Sequence, residues 1–104
     1  MQKKRLGLIG GSGLYGLDIL KDARKERVDS LFGSPSGDYK IAEINDLEIV
    51  FLARHGEHHH LNPSEVNYRA NIDGFKRLGV SELISMSACG SLRSEHAPGS
   101  FVRV

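Results

Sequence analysis

Apolar residues fall into short runs separated by glycine-rich or polar stretches, and most of the runs have the length of strands. Arg5 to Ile9 is apolar and bounded by glycines, which predicts a buried strand. Gly10 to Gly16 follows as a glycine-rich loop, where the missing Cβ permits backbone angles and close approaches that other residues forbid. Asp18 to Arg27 predicts a weak helix with scattered charges and a thin apolar face, and Leu31 to Gly37 a turn-rich loop. Tyr39 to Ile44 and Leu47 to Ala53 flank Asn45-Asp46, the pattern of a hairpin, and the second strand is apolar on both faces and so expected to be central. Arg54 to Pro63 is polar and irregular. Ser64 is the expected N-cap of a helix whose apolar stripe takes Val66, Ala70, Ile72, Phe75 and Leu78, with Gly79 ending it. Glu82 to Met86 predicts another buried strand, leading into Ser87-Ala88-Cys89-Gly90-Ser91; Pro98-Gly99 reads as a turn and Ser100 to Val104 as a strand beginning.

This order is that of an α/β protein with a mixed central sheet flanked by helices. Polar residues collect at the C-terminal ends of three apolar runs, the edge where open α/β sheets bind ligands. Because the chain stops in what reads as mid-strand, residues 1–104 are expected to be the N-terminal part of a single larger domain, truncated, with its C-terminal part absent.

Composition narrows the class. The net charge is +1 over 104 residues, which argues against a strongly basic nucleic-acid binder. No apolar run approaches a membrane span, and the segment after Met1-Gln2-Lys3-Lys4-Arg5 is too short and glycine-rich for a signal-peptide core. The single cysteine, Cys89, cannot form an internal disulfide, which fits a reducing compartment. The expectation is a soluble, cytoplasmic protein.

Gly11-Ser12-Gly13-Leu14-Tyr15-Gly16 formally matches the dinucleotide fingerprint G-x-G-x-x-G, with Asp29 at about the spacing of its acidic residue. The segment around Asp29 is no buried strand, however, and a plain structural turn is a further reading. A phosphate-type anion site ranks above both, because exposed backbone N–H groups cradle anions and the Ser12 hydroxyl adds a donor. Arg54 closes the most hydrophobic strand; its planar fork of donors suits phosphate, while an arginine leaving the sheet for solvent is an equal reading. His55, His58, His59 and His60 invite a metal reading, but no H-E-x-x-H is present and adjacent histidines on an extended chain point to opposite sides. A solvated loop lending one or two histidines to a pocket is preferred, with no metal. Ser87 to Ser91 offers small residues and hydroxyls beside a strand end, and Cys89 is read first as a packed small residue and second as a nucleophile. Lys76-Arg77 complements the dipole of its helix.

Four segments in order carry a family resemblance: Leu8 to Leu14, Leu52 to Gly56, Pro63 to Ile72, and Ser87 to Leu92 with Pro98-Gly99. Together they resemble the trimeric purine nucleoside phosphorylases, and within them the 5′-methylthioadenosine and 5′-methylthioinosine phosphorylase branch. The resemblance implies a nucleoside-phosphorylase-like fold assembled as a homotrimer. The implied reaction is phosphorolysis of a purine nucleoside, 5′-methylthioadenosine first, to a purine and a ribose 1-phosphate. By the same resemblance Ser12, Arg54, His55, Ser87 and Ala88 are phosphate contacts, and His59, Pro63, Ala88 and Cys89 are substrate-binding, with His59 similar to a histidine of the pocket for the 5′ substituent. No cofactor is implied beyond inorganic phosphate as co-substrate, and neither nucleic acid nor membrane as partner. The catalytic residue near the base would lie outside these 104 residues, so this portion alone is expected to be inactive. A non-catalytic phosphate-binding or assembly module is the alternative reading. Glu57, His58 and Asn62 depart from the family pattern, which leaves the choice between methylthio and unsubstituted nucleosides open.

Overall fold

The computed structural model describes residues 4–11, 17–58, 60–87 and 91–103. The short apolar runs and one charged segment become strands β1 (Lys4–Gly10), β2 (Arg24–Glu26, the charged one), β3 (Tyr39–Ile44), β4 (Leu47–Ala53) and β5 (Glu82–Ser85), with helix α1 (Tyr68–Arg77) between the last two. They form one mixed sheet in the order β2-β3-β4-β1-β5. β1 runs parallel to both β4 and β5, whereas β3 is antiparallel to β2 and β4. β4 is thus the middle strand, as an apolar run covered on both faces demands. The hairpin turn at Asn45-Asp46 forms as the sequence predicts, with Asn45 in the left-handed region at φ 53°.

Alternation along the strands separates two cores. Ile9, Tyr39, Ile41, Val50 and Leu52 face α1 and pack with Phe75, joined by Val28, Leu78 and Val80. Phe51, Ala42 and Ala53 face the other way and pack with Leu20, Leu8 and Ala23. Side chains pack closely over β1 because Gly7 has none: a Cβ there would stand 3.0 Å from Phe75 Cδ1 on the helix and 2.9 Å from both Leu83 Cδ1 and Val80 Cγ1.

Asn67, and not Ser64, caps α1, its side chain accepting from the Ala70 N–H at 3.0 Å. The expected start at Ser64 is a separate one-turn cap: Asn62 Oδ1 accepts from the N–H groups of Ser64 and Glu65, and Glu65 Oε1 accepts from the Asn62 N–H. That arrangement is a capping box without a continuing helix. The buried helix face is Ala70, Asn71, Gly74 and Phe75; Ile72 is half exposed. At about 100° per residue, Ile72 lies roughly 200° from Ala70 and points away from the sheet. The helix ends as Gly79 predicts: Gly79, at φ 77°, donates to Lys76 O and Val80 donates to Phe75 O, the paired bonds of a Schellman cap.

Three other expectations are corrected. Asp18 to Arg27 is not a helix but a single 3-10 turn (Asp18–Leu20) followed by β2, which pairs with β3. Leu20 is the only buried residue of the 3-10 turn, too little apolar surface to hold a longer helix, and strand pairing takes the rest. β5 is an edge strand with exposed side chains, including Ile84 at 47%, because no other described strand lies beyond it. Residues 101–103 are exposed and form no strand, having no strand partner among the described residues.

At the start of the parallel strands, Arg5 Nε contacts Glu48 Oε1 at 3.0 Å, and Arg5 Nη1 donates to Leu78 O at the end of α1. Arg24 adds a second contact to Glu48 at 3.3 Å. The hydrogen bond from Arg5, with the charges of Arg5 and Arg24, holds the Glu48 carboxyl below its usual range despite some desolvation. A depressed folded pKa stabilises the fold above the unfolded value, about 4.3 for glutamate, and that contribution disappears as pH falls through the lower folded value. Glu48→Gln should therefore flatten the acid side of a stability-against-pH curve below about pH 4.3, measured by urea unfolding. An unaltered acid limb would remove Glu48 from the account.

Gly74 offers a second test. A Cβ at this position would overlap the Tyr39 hydroxyl. Gly→Ala in a helix ordinarily gains about 1 kcal/mol. Here overpacking costs about 1–3 kcal/mol, and loss of the Tyr39 hydrogen bond adds a similar amount. The net expectation for Gly74→Ala is a loss of about 2 kcal/mol in urea unfolding; a more stable variant would contradict the packing.

Candidate functional site

Because β1, β4 and β5 are parallel neighbours, their C-terminal ends share one edge, and main-chain bonds tie them together. Arg54 N–H donates to Gly10 O at 2.8 Å, and Met86 N–H donates to Ile9 O at 2.8 Å. Arg54 is half-buried, and its Nη2 donates to the Met86 carbonyl, so the guanidinium lies along the edge across the end of β1. The Arg54 side chain is thus held against the strand ends. Ser87 follows Met86 directly and is exposed. Arg54, His55 and Ser87 thus come to one place, where Gly10-Gly11 begins the glycine loop. Ser12, His59, Ala88 and Cys89 lie outside the described residues.

Residues 54–58 form a turn in which Gly56 is buried at φ 89°. The His60 imidazole lies where a Cβ on Gly56 would stand. His55 is joined to Leu61 twice: Leu61 N–H donates to His55 O at 3.0 Å, and His55 Nδ1 lies 3.0 Å from Leu61 O. A carbonyl can only accept, so Nδ1 carries the proton. Pro63 is exposed on the next turn, its carbonyl accepting from the Tyr68 hydroxyl at 3.4 Å.

A buried polar chain reaches this edge from α1. Ser36 Oγ donates to Arg54 O at 2.6 Å, and Asn71 meets Ser36 at both its N–H and its hydroxyl, at 2.8 and 3.0 Å. Tyr39 donates to Asn71 O at 2.8 Å. Burial, followed by the nearby charge of Asp73, pushes the Tyr39 hydroxyl well above its ordinary range and keeps it a donor. Sequence reasoning passed over Ser36 and Asn71. The available signal was an asparagine inside an apolar helix face, where an amide needs partners.

Glu57 carries a negative charge three residues beyond Arg54. Its carboxylate lies 3.5 Å from Lys25 Nζ and 3.6 Å from Lys40 Nζ. Desolvation acts to raise the Glu57 pKa, but the two lysines together bring it below the usual range. The carboxylate is therefore matched by cations.

Among the described residues, no three His, Cys, Asp or Glu side chains gather into a metal-binding group. The dinucleotide reading loses its framework among the described residues: the segment from Leu17 to Ala23 holds a single 3-10 turn, and Asp29 is an exposed partner of Arg27. No helix among the described residues is long and apolar enough to cross a membrane.

The family model described as the phosphorylase superfamily matches residues 5–104. The S-methyl-5′-thioadenosine phosphorylase of Bradyrhizobium diazoefficiens is 52% identical over 104 residues, spanning 100% of this chain and 36% of that protein. That of Thermofilum pendens is 48% identical over 102 residues, 98% of this chain and 39% of its own. The crystal structure of a methylthioadenosine phosphorylase from an antarctic soil metagenomic library superposes with TM-score 0.81 at 43% identity, over 94% of this chain and 34% of that one. The Schistosoma mansoni methylthioadenosine phosphorylase in complex with tubercidin gives TM-score 0.82 at 40% identity, over 93% and 35%. The chain spans about a third of the length of these relatives.

The turn after β4 supplies a local test. Gly56→Ala meets both a left-handed backbone and the His60 ring. It should cost about 1–3 kcal/mol in urea unfolding; wild-type stability would mean the turn does not depend on glycine.

Proposed function

The chain belongs to the phosphorylase superfamily, and on that premise we propose that it supplies the phosphate-binding strand edge of a larger nucleoside phosphorylase. The substrate in this reading is 5′-methylthioadenosine, cleaved by inorganic phosphate to adenine and 5-methylthioribose 1-phosphate. The observation that carries it is Arg54, held by main-chain bonds across the ends of β1 and β5. Among the described residues its guanidinium gives one hydrogen bond to the protein, to Met86 O, which leaves further donors of its fork for an anion. In the same reading Ser12, His55, Ser87 and Ala88 complete the phosphate contacts. His59, Pro63, Ala88 and Cys89 line the nucleoside side. Residues 1–104 form the N-terminal part of one phosphorylase domain. The enzyme assembles as a homotrimer and works in cytoplasmic purine salvage without a cofactor.

The chemistry follows from placement. Phosphate is a weak nucleophile towards a sugar carbon, but held in line with C1′ it gains a large proximity advantage. One phosphate oxygen bonds to C1′ as the bond from C1′ to the purine nitrogen breaks. The electron pair leaves with the purine, which takes up a proton. Positive charge on the sugar ring in the transition state is stabilised by the adjacent phosphate, and Arg54 fixes that phosphate without neutralising it through a proton.

Arg54→Ala in the full-length protein should raise the KM for phosphate about ten- to a hundredfold, the loss expected for charged hydrogen bonds. Adenine release followed against phosphate concentration measures this. An unchanged phosphate dependence would sink the site assignment, and absence of any phosphate-dependent release would favour the non-catalytic module.

A further inference from the structure

We propose that Ser36 and Asn71 are positioning residues for Arg54, acting through a directed hydrogen-bond chain that runs from the face of α1 to the phosphate edge. The proposal rests on the phosphate-site reading of Arg54. Asn71 is fully buried and Ser36 is 4% exposed, so neither reaches solvent for a substitute partner. The direction of the chain is fixed by its members. Ser36 N–H is only a donor, so the Asn71 atom facing it must be Oδ1, and Nδ2 must face Ser36 Oγ. Nδ2 donates into an Oγ lone pair, and the Ser36 hydroxyl proton is directed at Arg54 O, 2.6 Å away. Tyr39 ties the Asn71 main chain to β3 from the other side at 2.8 Å.

The consequence for Arg54 is mechanical. Its N–H is anchored on Gly10 O and its carbonyl on Ser36 Oγ, so the plane of the turn after β4 is held at both ends of the residue. From that base the guanidinium reaches Met86 O. Without the Ser36 hydroxyl the part-buried carbonyl loses its side-chain donor among the described residues, and the turn rotates towards another. Such a rotation moves the far end of a long side chain more than its Cα. Misplacement by about 1 Å at a binding group costs up to about a hundredfold in rate.

The test is a kinetic comparison in the full-length protein. Ser36→Ala should raise the KM for phosphate about tenfold or more, while the KM for the nucleoside stays within about twofold. Ser36→Thr, which keeps the hydroxyl, should restore phosphate affinity. General destabilisation would instead lower the active fraction and leave both KM values in place. If Ser36→Ala fails to fold, Ser36→Cys retains the shape with a weaker donor and should give the same selective rise in reduced degree. A folded variant lacking the hydroxyl, or carrying the thiol, with an unchanged phosphate KM overturns the proposal. Arg54→Ala measured alongside separates the two failures: if it raises the phosphate KM and the Ser36 variants do not, only the positioning role falls. If Arg54→Ala also leaves it unchanged, the phosphate site itself is wrong.

Discussion

The amide of Asn71 sets where the only α-helix among the described residues can sit. It is buried with no exposure on a face that is otherwise alanine, glycine and phenylalanine, and both its polar atoms are engaged by Ser36. Each buried polar group left unpaired costs about 1–3 kcal/mol, so a slip of α1 along the sheet or a rotation by one residue would orphan several at once. Apolar contacts alone would not be so selective, because hydrophobic attraction has little direction. The remaining contacts conform to this register. Gly74 leaves room for the Tyr39 hydroxyl, and the Tyr39 ring meets Phe75 edge-on, with centroids 5.0 Å apart and planes at 85°. Helix, sheet and strand edge are thereby locked into one geometry.

What the sequence made legible was whatever is encoded locally. The hairpin at Asn45-Asp46, the central β4, and the helix stop at Gly79 each rest on residues within one turn of one another. The strand-end site was legible for a related reason: apolar runs followed at once by Gly10-Gly11, Arg54-His55 and Ser87 announce both the strands and what hangs from their ends. The misses share the opposite property. β2, with its sequence Arg24-Lys25-Glu26, has no strand character of its own and exists because β3 offers a partner. The helix start was misplaced because Asn62 and Glu65 close a capped turn that looks locally like the first turn of α1. Ile72 was assigned to the core by its type, although its angle around the helix places it outside. The partners of Ser36 lie 18 and 35 positions away in the chain.

The edge that gathers Arg54, His55 and Ser87 is assembled largely from main-chain groups. Gly10 O, Ile9 O, Met86 O and the Arg54 amide are the partners, and every residue type except proline presents both of these groups. Such a scaffold tolerates exchange of the surrounding side chains so long as the parallel pairing persists. That fits the comparison with solved structures, where 39–43% identity accompanies TM-scores of 0.81–0.82. The charge arrangement is equally economical. Lys25 and Lys40 face Glu57, and on the proposed reading a small anion is drawn locally to Arg54 in a molecule whose net charge is only +1.

β5 borders the sheet, with Leu83 and Ile84 exposed and its outer main chain turned away from β1. Its side position means that Arg54, two strands in, lies close to the boundary between protein and water. A strand or helix packed along β5 would move that boundary outward and exclude solvent from the row of strand ends. The local dielectric would fall, and on the proposed reading the attraction between one guanidinium and one phosphate, weak in water, would deepen several-fold without any change in the contacts themselves.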